Sequence, residues 1–523
     1  MKYEENLVKS LECRLPKDLR LLSSSYGFKG RSSMSFVKIP TRRDCYNFIA
    51  GQFCGSPTDS GVCSPWTGEV LGRTLSSSTK EVDEAVTAAM KAFPSWRQTP
   101  LKERSQLLFS FRDNVLNRLD EIANTVAAES GKTVSEGRAG VMKGLEVTEF
   151  ALSLQNMDSG SSMDVSRGVA CEYRREPLGV VLGIVPFNFP AMVPMWMYPI
   201  AVTLGNCFIL KPSEKVPLTS QLMAECIRDA GFPAGVFQLV HGAQKTVENL
   251  IDHPGISAVG FVGSTPVARS VYSRATGLGK RALCLGGAKN FVLVAPDADE
   301  RITVKGVVDS FTGCAGQRCM AGSLMIAVGD GKHLIPKIVA AASKIRLGHE
   351  MGAIIDKGAH ERIVRSITQA EKEGAKILLD GRQTAAPKGY EAGNWIGPTI
   401  IDGVSPKASC VTTEIFGPVL TILSVATLSE AMKLEAANAY GNATSVFTSS
   451  GAVARLVADQ ATSSMIGVNI GVPVPREPFS FGGSKESKFG PCDITGESAL
   501  EFWSQRKKIT MKWSEQSDAN WMS

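Results

Sequence analysis

A chain of 523 residues is too long for one simple hydrophobic core, so two or three domains are expected. The 57 basic and 51 acidic side chains nearly balance and form no long basic run, which argues against a nucleic-acid-binding protein. No window approaches roughly eighteen uninterrupted apolar residues, so a membrane span is not expected.

The cysteine and histidine content restricts the chemistry further. Twelve cysteines, scattered from Cys13 to Cys492, include no close C-x-x-C pair, which favours reduced thiols over a disulfide framework. The five histidines show no zinc or cluster spacing, so no metal site is predicted. The expected location is a reducing compartment.

The first 40 residues differ from the rest of the chain. They are rich in Ser, Lys and Arg, as transit peptides are, but acidic residues such as Glu4, Glu12 and Asp18 argue against that interpretation. Residues 1–40 are therefore predicted to be a poorly ordered extension of a cytoplasmic protein. The mitochondrial matrix is the alternative location.

Hydrophobic periodicity divides the remaining chain into a helical part and two alternating series. Amphipathic helices are predicted at 80–96, 101–130 and 136–156. In the first alternating series, strands are predicted at 178–185, 207–210, 236–240, 258–262 and 291–294, and helices at 192–204, 217–231, 243–252 and 265–276. In the second series, strands are predicted at 324–328, 376–379, 420–424, 444–448 and 466–469, and helices at 332–346, 357–374, 428–438 and 451–463. Such alternation is typical of parallel α/β sheets, which bind nucleotides at the carboxyl ends of their strands.

One stretch, from Phe311 to Ala321, places Arg318 and Cys319 among small residues. A substrate carbonyl needs such space to reach a thiol, and an amide needs it to reach the resulting oxyanion. The alternative interpretation is a buried structural cysteine at a tight helix start, which is the usual role of a free cysteine.

Five motifs occur in the order and spacing of the aldehyde dehydrogenase superfamily, which the chain resembles from about residue 45 to 513. They are Pro186-Phe-Asn-Phe-Pro190, Lys211-Pro-Ser-Glu214, Phe261-Val-Gly-Ser264, Gly316-Gln-Arg-Cys319 and Glu414-Ile-Phe-Gly-Pro418. Four further segments resemble the coenzyme A-acylating methylmalonate-semialdehyde dehydrogenase branch. These are Gln317-Arg-Cys-Met-Ala321, Gly287-Ala-Lys-Asn290, Val472-Pro-Val-Pro475 and Phe479-Ser-Phe-Gly-Gly-Ser484.

The resemblance implies a role for each matching residue. Cys319 corresponds to the thiolate that attacks the aldehyde, and Asn188 to the amide that holds the oxyanion, although alone it reads equally as a turn residue between two prolines. The positions implied to bind NAD are Val185, Phe187, Lys211, Glu214, Lys215, Ser264, Gly286 and Glu414. Without the resemblance, Lys211 and Glu214 would read as a strand end with a helix cap, and Glu414 as a solvated loop carboxylate.

Three positions depart from the family patterns. Leu285 stands where hydrolytic members carry a glutamate that activates water and where the branch has asparagine, so release by a thiol such as coenzyme A is favoured. Of the two arginines that clamp the substrate carboxylate, Arg318 is present and Lys143 replaces the other, although a lone lysine there is more usually solvated. Ala268 stands where many members have a second glycine.

The resemblance implies an α/β fold with two parallel-sheet domains. An NAD-binding domain is expected at 41–158 and 177–288, a catalytic domain at 289–485, and a β oligomerisation arm at 159–176 and 504–513. The family resemblance also implies a homotetramer or a dimer of dimers, and an exposed strand edge on the arm would favour pairing with another subunit.

The implied reaction oxidises malonate or methylmalonate semialdehyde with NAD and coenzyme A, through a Cys319 thioester. It releases acetyl- or propionyl-coenzyme A and carbon dioxide, as in valine catabolism. The alternatives are an NAD-dependent dehydrogenase that releases the free acid, and a low-activity relative that binds NAD.

Overall fold

The computed structural model describes residues 36–58, 60–157 and 160–512. Most of the extension predicted at 1–40 lies outside the described residues. The described chain begins at Phe36, whose ring stacks on Tyr390 with the centroids 5.2 Å apart. Within these residues, no helix combines the length and the apolar character needed to cross a bilayer.

The strands and helices follow one another in chain order. The strands are Asn47–Ile49 (β1), Gln52–Cys54 (β2), Ser60–Cys63 (β3), Val70–Thr74 (β4), Ser161–Ser166 (β5), Val169–Pro177 (β6), Val180–Ile184 (β7), Cys207–Lys211 (β8), Phe237–Leu239 (β9), Ile256–Val262 (β10), Arg281–Leu285 (β11), Asn290–Val294 (β12), Gly322–Val328 (β13), Lys376–Leu379 (β14), Thr399–Asp402 (β15), Val419–Val425 (β16), Tyr440–Gly441 (β17), Ala443–Phe447 (β18), Met465–Val468 (β19), Ser484–Lys485 (β20), Lys488–Phe489 (β21) and Ser504–Lys512 (β22). The α-helices are Thr79–Gln98 (α1), Leu101–Asn117 (α2), Leu119–Ser130 (α3), Val134–Ser153 (α4), Met192–Thr203 (α5), Pro217–Asp229 (α6), Gln244–Asp252 (α7), Thr265–Gly277 (α8), Glu300–Thr312 (α9), Ile335–Ala342 (α10), Lys357–Lys372 (α11), Ser409–Thr412 (α12), Leu428–Ala437 (α13), Gly451–Gln460 (α14) and Gly496–Trp503 (α15).

Two large sheets carry the fold, as the alternating pattern predicts. The first has the order β2-β1-β9-β8-β7-β10-β11-β21, and its five strands from β9 to β11 are parallel. The second has the order β14-β15-β16-β13-β12-β18-β19 and is parallel except for β14. The predicted α/β class is therefore confirmed.

The central strands are apolar on both faces because helices cover both sides of each sheet. Every residue of β7, β8 and β12 is buried. One apolar core surrounds the first sheet, and two others pack against the second. The domain limits stated above remain a prediction.

A third sheet extends from the chain where the arm is predicted. Strands β5, β6 and β22 are antiparallel, and β22 pairs with β6 from Ser504 opposite Pro177 to Lys512 opposite Val169. Residues 159 and 513 of the predicted arm lie outside the described residues. All six residues of β5 are exposed in the single chain.

The single helix predicted at 101–130 is wrong at Arg118. This residue has φ −107° and ψ 15°, and it caps both α2 and α3. Its guanidinium bridges Glu121 and Glu225, at 2.8 and 2.9 Å. The apolar period continues across the break without glycine or proline, so the sequence carries no local stop signal.

Strands β11 and β15 and helices α9 and α15 were absent from the predicted elements. Both strands are short, and β11 ends directly before the two glycines Gly286 and Gly287, so its apolar run is hard to separate from the motif that follows. Short apolar runs are the elements that periodicity identifies least well.

Glu129, in the last turn of α3, fixes that helix to the start of α6. Its buried carboxylate accepts hydrogen bonds from the backbone N–H groups of Leu218 and Thr219, at 2.8 and 2.9 Å, and from the Thr219 hydroxyl. We expect Glu129→Ala to lower the free energy of unfolding by about 2–3 kcal/mol, because buried donors lose their acceptor.

Glu121→Ala, on the same helix, is the matched control. Glu121 pairs with Arg118 at the surface, where its side chain is 50% exposed, so we expect a loss below about 1 kcal/mol. The two variants should be compared by thermal denaturation. An equal decrease in Tm would contradict the assigned role of Glu129.

Candidate active site

Helix α9 ends in a strained turn that precedes Cys319. Cys314 and Ala315 have φ of 54° and 51°, and Gly316 follows at 66°. Three consecutive residues therefore lie in the left-handed region, where each residue with a Cβ costs about 1–2 kcal/mol. Contacts with other segments must hold this turn in place.

The N-terminus of α4 supplies one of these contacts. Glu136 Oε1 accepts a hydrogen bond of 2.6 Å from the backbone N–H of Cys314. The other oxygen of Glu136 accepts from the backbone N–H of Thr133, which completes a capping box at the start of the helix. The carboxylate thus fixes the turn to a helix that has its own stabilising cap.

A close backbone approach supplies the second contact. A Cβ on Gly316 would lie 2.0 Å from the carbonyl oxygen of Gly417, which follows Glu414 in its loop. Only glycine fits there, both for space and for its φ. This approach brings the loops of Cys319 and Glu414 together.

Two side-chain amides hold the main chain at Cys319. Asn290, at the start of β12, donates from Nδ2 to the carbonyl oxygens of Cys319 and Ala321, at 2.7 and 2.9 Å. Asn442, just before β18, donates to the same Cys319 oxygen at 3.0 Å. The cysteine is therefore anchored to the amino edge of the second sheet, where β12, β13 and β18 begin.

The Cys319 thiol is half-buried and protonated at neutral pH in this state. Burial raises its pKa to about 12, and the nearby Glu414 carboxylate also raises it, while the Arg318 charge and the backbone N–H groups of Cys319 and Met320 lower it. Attack on an aldehyde requires the thiolate.

Asn188 lies against the same turn, as its predicted role requires. It follows β7, is buried, and donates from Nδ2 to the carbonyl oxygen of Gln317 at 3.0 Å. Its backbone carbonyl accepts from the ammonium of Lys132, which also lies 4.3 Å from the Phe189 ring centroid. An amide has two N–H donors, so one remains for a ligand.

Lys211 and Glu214, two of the positions implied to bind NAD, meet at the end of β8. Lys211 is buried, donates to the carbonyl oxygen of Gly242 at 2.9 Å, and lies 3.6 Å from the Glu214 carboxylate. Burial lowers the pKa of Lys211, and Glu214 partly offsets this shift. Glu214 and Gly242 line a cavity of about 400 Å³ at this edge of the sheet.

Lys215 lines the same cavity and reaches across to the second sheet. Its ammonium is 2.5 Å from Asp356 Oδ2, at the cap of α11, and 5.5 Å from the ring centroid of Phe187. Phe187 packs edge-on against Phe416, which belongs to the Glu414 loop. These contacts hold the Phe187 ring beside Lys215, which lines the cavity.

The remaining predicted cofactor positions border the first sheet. Val185, directly after β7, donates its N–H to the Lys211 carbonyl at 3.2 Å. Ser264 caps α8 but is exposed and makes no side-chain capping bond, which leaves this helix N-terminus open to an anion. Gly286, directly after β11, donates to the carbonyl of Ser487 at 2.9 Å.

Glu414 lies beside the two glycines that follow β11. Its Oε1 accepts from the Ala288 backbone N–H at 2.9 Å, and a Cβ on Gly287 would lie 2.3 Å from its Oε2. Burial raises the pKa of this carboxyl to about 7, which the nearby Lys289 ammonium partly offsets. Leu285, in the preceding strand, is buried and has no ionisable group.

The two cations predicted to clamp a substrate carboxylate already have partners. Arg318 donates from Nη2 to the carbonyls of Asp309 and Ser310 at the end of α9, and its buried Nε has no partner among the described residues. Lys143 pairs with Glu146 and with Glu477. No contact joins Arg318 to Lys143 in the described part of the chain.

Several residues of this site were missed by sequence reasoning. Lys132, Glu136 and Asn442 lie far from Cys319 in the sequence and carry no local signal of their function. Lys289 and Asn290 belong to a recognised motif, so the motif could have drawn attention to them. Burial lowers the pKa of Lys289 to about 8.

The described geometry brings Asn188 to the turn that leads to Cys319, and a model of the aldehyde dehydrogenase family matches residues 55–509. This chain belongs to the aldehyde dehydrogenase family. The resemblance inferred from its motifs is therefore confirmed.

The relatives of this aldehyde dehydrogenase extend the match to one branch. The rat protein named methylmalonate-semialdehyde/malonate-semialdehyde dehydrogenase (acylating), mitochondrial, is 40% identical over 494 residues, which cover 93% of this chain and 92% of the relative. Malonate-semialdehyde dehydrogenase 2 of Geobacillus kaustophilus is 40% identical over 89% of this chain and 98% of its own.

Solved structures agree with the sequence comparison. Methylmalonate-semialdehyde dehydrogenase (DddC) from Oceanimonas doudoroffii superposes with a TM-score of 0.88 at 39% identity, over 91% of this chain and 99% of its own. A Sinorhizobium meliloti structure complexed with NAD gives a TM-score of 0.88 at 37% identity, with the same coverage. The aldehyde dehydrogenase fold is thereby shown for this chain.

The raised pKa of Cys319 predicts how the free enzyme reacts with an alkylating reagent. Only the thiolate reacts, so between pH 7 and 10 the labelling rate of Cys319 should rise about tenfold per pH unit. Mass spectrometry of the Cys319 peptide after iodoacetamide treatment measures this rate, and Cys319→Ser assigns the peptide. A rate that levels off near pH 9 would contradict the shift.

The approach of Gly316 to Gly417 predicts the effect of one methyl group. Gly316→Ala should lower the free energy of unfolding by about 2–4 kcal/mol and displace Cys319, because a left-handed alanine would also meet a backbone carbonyl. Gly279→Ala is the matched control, since Gly279 has φ 72° and open space around its Cβ position.

We expect Gly279→Ala to cost only about 1 kcal/mol, from backbone strain alone. Thermal denaturation and aldehyde-dependent NADH formation compare the two variants. Similar losses in both would show that the contact with Gly417 is unimportant.

Proposed function

We propose that this enzyme is an NAD-dependent, coenzyme A-acylating dehydrogenase of malonate or methylmalonate semialdehyde. The observation that carries the proposal is the buried, non-ionisable Leu285 at the end of β11, in a chain whose Asn188 amide binds the turn that leads to Cys319. Leucine cannot activate water, so a thiol is the expected acceptor of the acyl group. The names of the relatives support the same reaction.

The residues of the cleft fit a dinucleotide. Lys211 and Glu214 would hold the adenosine ribose, and the Glu214 carboxylate would repel a 2′-phosphate, which favours NAD over NADP. Ser264 would bind the pyrophosphate at the start of α8, and Glu414 would hold the nicotinamide ribose. NAD bound here would supply the hydride acceptor.

Phe187, Val185 and Gly286 would border the bound cofactor. Lys215, held by Asp356 and facing the Phe187 ring, would lie over the adenine. A methyl group at Ala268 is small and fully buried within α8, so it does not obstruct the cleft.

The chemical steps follow from the position of Cys319. The Cys319 thiol first loses its proton to solvent. The thiolate then attacks the aldehyde carbon, and the carbonyl oxygen becomes an oxyanion that the Asn188 amide and the Cys319 N–H would stabilise. One such donor lowers a barrier by about 3 kcal/mol. Loss of hydride from the carbon leaves a thioester on Cys319.

A substrate with a β-carboxylate can then lose carbon dioxide, because the thioester carbonyl accepts the electrons. The coenzyme A thiol attacks the thioester and restores the Cys319 thiol. The products are NADH, carbon dioxide and acetyl- or propionyl-coenzyme A. The buried Arg318 Nε, without a partner among the described residues, is the donor offered to the substrate carboxylate.

The assembly and location of the enzyme extend the proposal. We place the coenzyme domain at 41–158 and 177–288 and the catalytic domain at 289–485. The exposed edge strand β5 would pair with another subunit, giving a homotetramer. A role in valine catabolism would fit these substrates, in the cytoplasm or the mitochondrial matrix.

A second candidate is an aldehyde dehydrogenase that releases the free acid. The observation that favours it is Glu414, whose pKa of about 7 would let it accept a proton from water. Its hydrogen bond to Ala288 competes with that role. A low-activity NAD-binding relative is the third candidate.

The dependence of NADH formation on coenzyme A separates these candidates. Without coenzyme A, malonate semialdehyde and NAD should give a burst of one NADH per active site and an acyl adduct on Cys319. Addition of coenzyme A should restore continuous turnover. Stopped-flow absorbance and peptide mass spectrometry measure both results.

Continuous NADH formation without coenzyme A would favour hydrolysis of the thioester. The variant Glu414→Gln would then test whether Glu414 is the base that accepts a proton from water. Absence of both burst and adduct would favour the inactive relative. Cys319→Ser is the control for a nonspecific adduct.

A further inference from the structure

Lys143 is held between two carboxylates. Its ammonium lies 2.8 Å from Glu146 Oε2 and 3.2 Å from Glu477 Oε2. The Glu146 side chain is 41% exposed, whereas that of Glu477 is 10% exposed and that of Lys143 is 18% exposed. Because water screens the Glu146 charge more strongly, Glu477 is the main partner of the ammonium.

The segments that carry this ion pair lie against the core of the first sheet. Val472 and Val474, in the loop that leads to Glu477, pack against that apolar core, as Phe189 and Cys319 also do. Gly140 lies one helical turn before Lys143, and a Cβ there would be 3.7 Å from the Phe189 ring. The helix of Lys143 therefore borders Phe189, and the loop of Glu477 packs against the same core.

The same loop leads back to Arg318. The hydroxyl of Ser310 donates to the carbonyl oxygen of Gly471 at 2.7 Å, and the carbonyl of Ser310 accepts from Arg318 Nη2 at 3.0 Å. One short segment thus connects the surroundings of both cations that could receive a substrate carboxylate. The hydrogen bonds of Arg318 go to neutral backbone carbonyls, which do not balance its charge. The charge of Lys143, by contrast, is balanced by two carboxylates.

We propose that Glu477 is a specificity-determining residue that withholds the Lys143 ammonium from the carboxylate of the substrate. An anionic aldehyde is then bound through Arg318 alone. Two carboxylates and one ammonium leave a net negative charge on the Lys143 side, so selection for anionic over uncharged aldehydes is weak. This inference rests on the proposed function and specifies its substrate range.

The test compares an anionic and an uncharged aldehyde. The burst of NADH without coenzyme A is followed for malonate semialdehyde and for propanal, and the ratio of their second-order rate constants gives the preference for the anion. Glu477→Gln keeps the size of the side chain and frees Lys143, so the preference should rise about fivefold. The propanal rate should stay within twofold.

Two further variants isolate the charge of Lys143. Glu146→Gln, on the exposed side of the same ammonium, should change the preference less than twofold. Lys143→Met alone should also change it less than twofold, whereas Glu477→Gln combined with Lys143→Met should lose the gain of Glu477→Gln. Circular dichroism and Tm verify that each variant folds.

The outcomes separate this role from the proposed function. A wild-type burst with an unchanged preference in Glu477→Gln overturns the role of Glu477 and leaves the dehydrogenase reaction intact. A preference that falls fivefold or more in Lys143→Met also overturns it, and this variant decides if Glu477→Gln does not fold. Absence of any burst in the wild type overturns both proposals.

Discussion

The hydrogen bond between the Glu136 carboxylate and the Cys314 backbone is the interaction on which the rest of the site depends. It stabilises a left-handed turn that two residues with side chains would otherwise avoid. Because Gly316 then meets the carbonyl of Gly417, the turn also fixes the loop of Glu414. The cysteine, the amide and the cofactor edge are consequently positioned by one short segment.

The anchoring residues come from both sheets, so the site forms only when the whole chain has folded. Asn290 and Asn442 hold the Cys319 carbonyl from the second sheet, while Asn188 reaches the turn from the first. A side chain held by packing and hydrogen bonds from several rigid elements loses little entropy when the substrate binds. This cooperation fixes the main chain on both sides of the half-buried Cys319 thiol.

The pKa values of Cys319, Glu414 and Lys289 depend on one another. Burial and the Glu414 charge both disfavour the Cys319 thiolate, and burial gives Glu414 itself a pKa of about 7. The Ala288 N–H, the charge of the buried Lys289 ammonium and that of Arg362 partly offset the raised pKa of Glu414, and Lys289 Nζ has no hydrogen-bond partner among the described residues. Three titratable groups are therefore coupled in one cleft, and a change in one alters the others.

The sequence predicted the alternating sheets well because buried parallel strands are short apolar runs between helices. It could not predict the break at Arg118, where the apolar period continues unchanged and the guanidinium pairs with Glu121, three residues on, and with the distant Glu225. The motifs located Cys319 and Asn188, since their signals are local. Contacts between distant segments, such as that of Lys143 with Glu477, have no such signal and required the folded chain.

We propose that the turn presents the Cys319 thiol and the Asn188 amide to the same carbonyl group. A crystal structure of the enzyme soaked with NAD and malonate semialdehyde, without coenzyme A, tests it most directly. We predict continuous electron density from the Cys319 Sγ to an acyl carbon, with the acyl oxygen within hydrogen-bond distance of Asn188 Nδ2 and the Cys319 N–H. Density for an acyl group on another residue, or an acyl oxygen that faces away from both donors, would contradict the account.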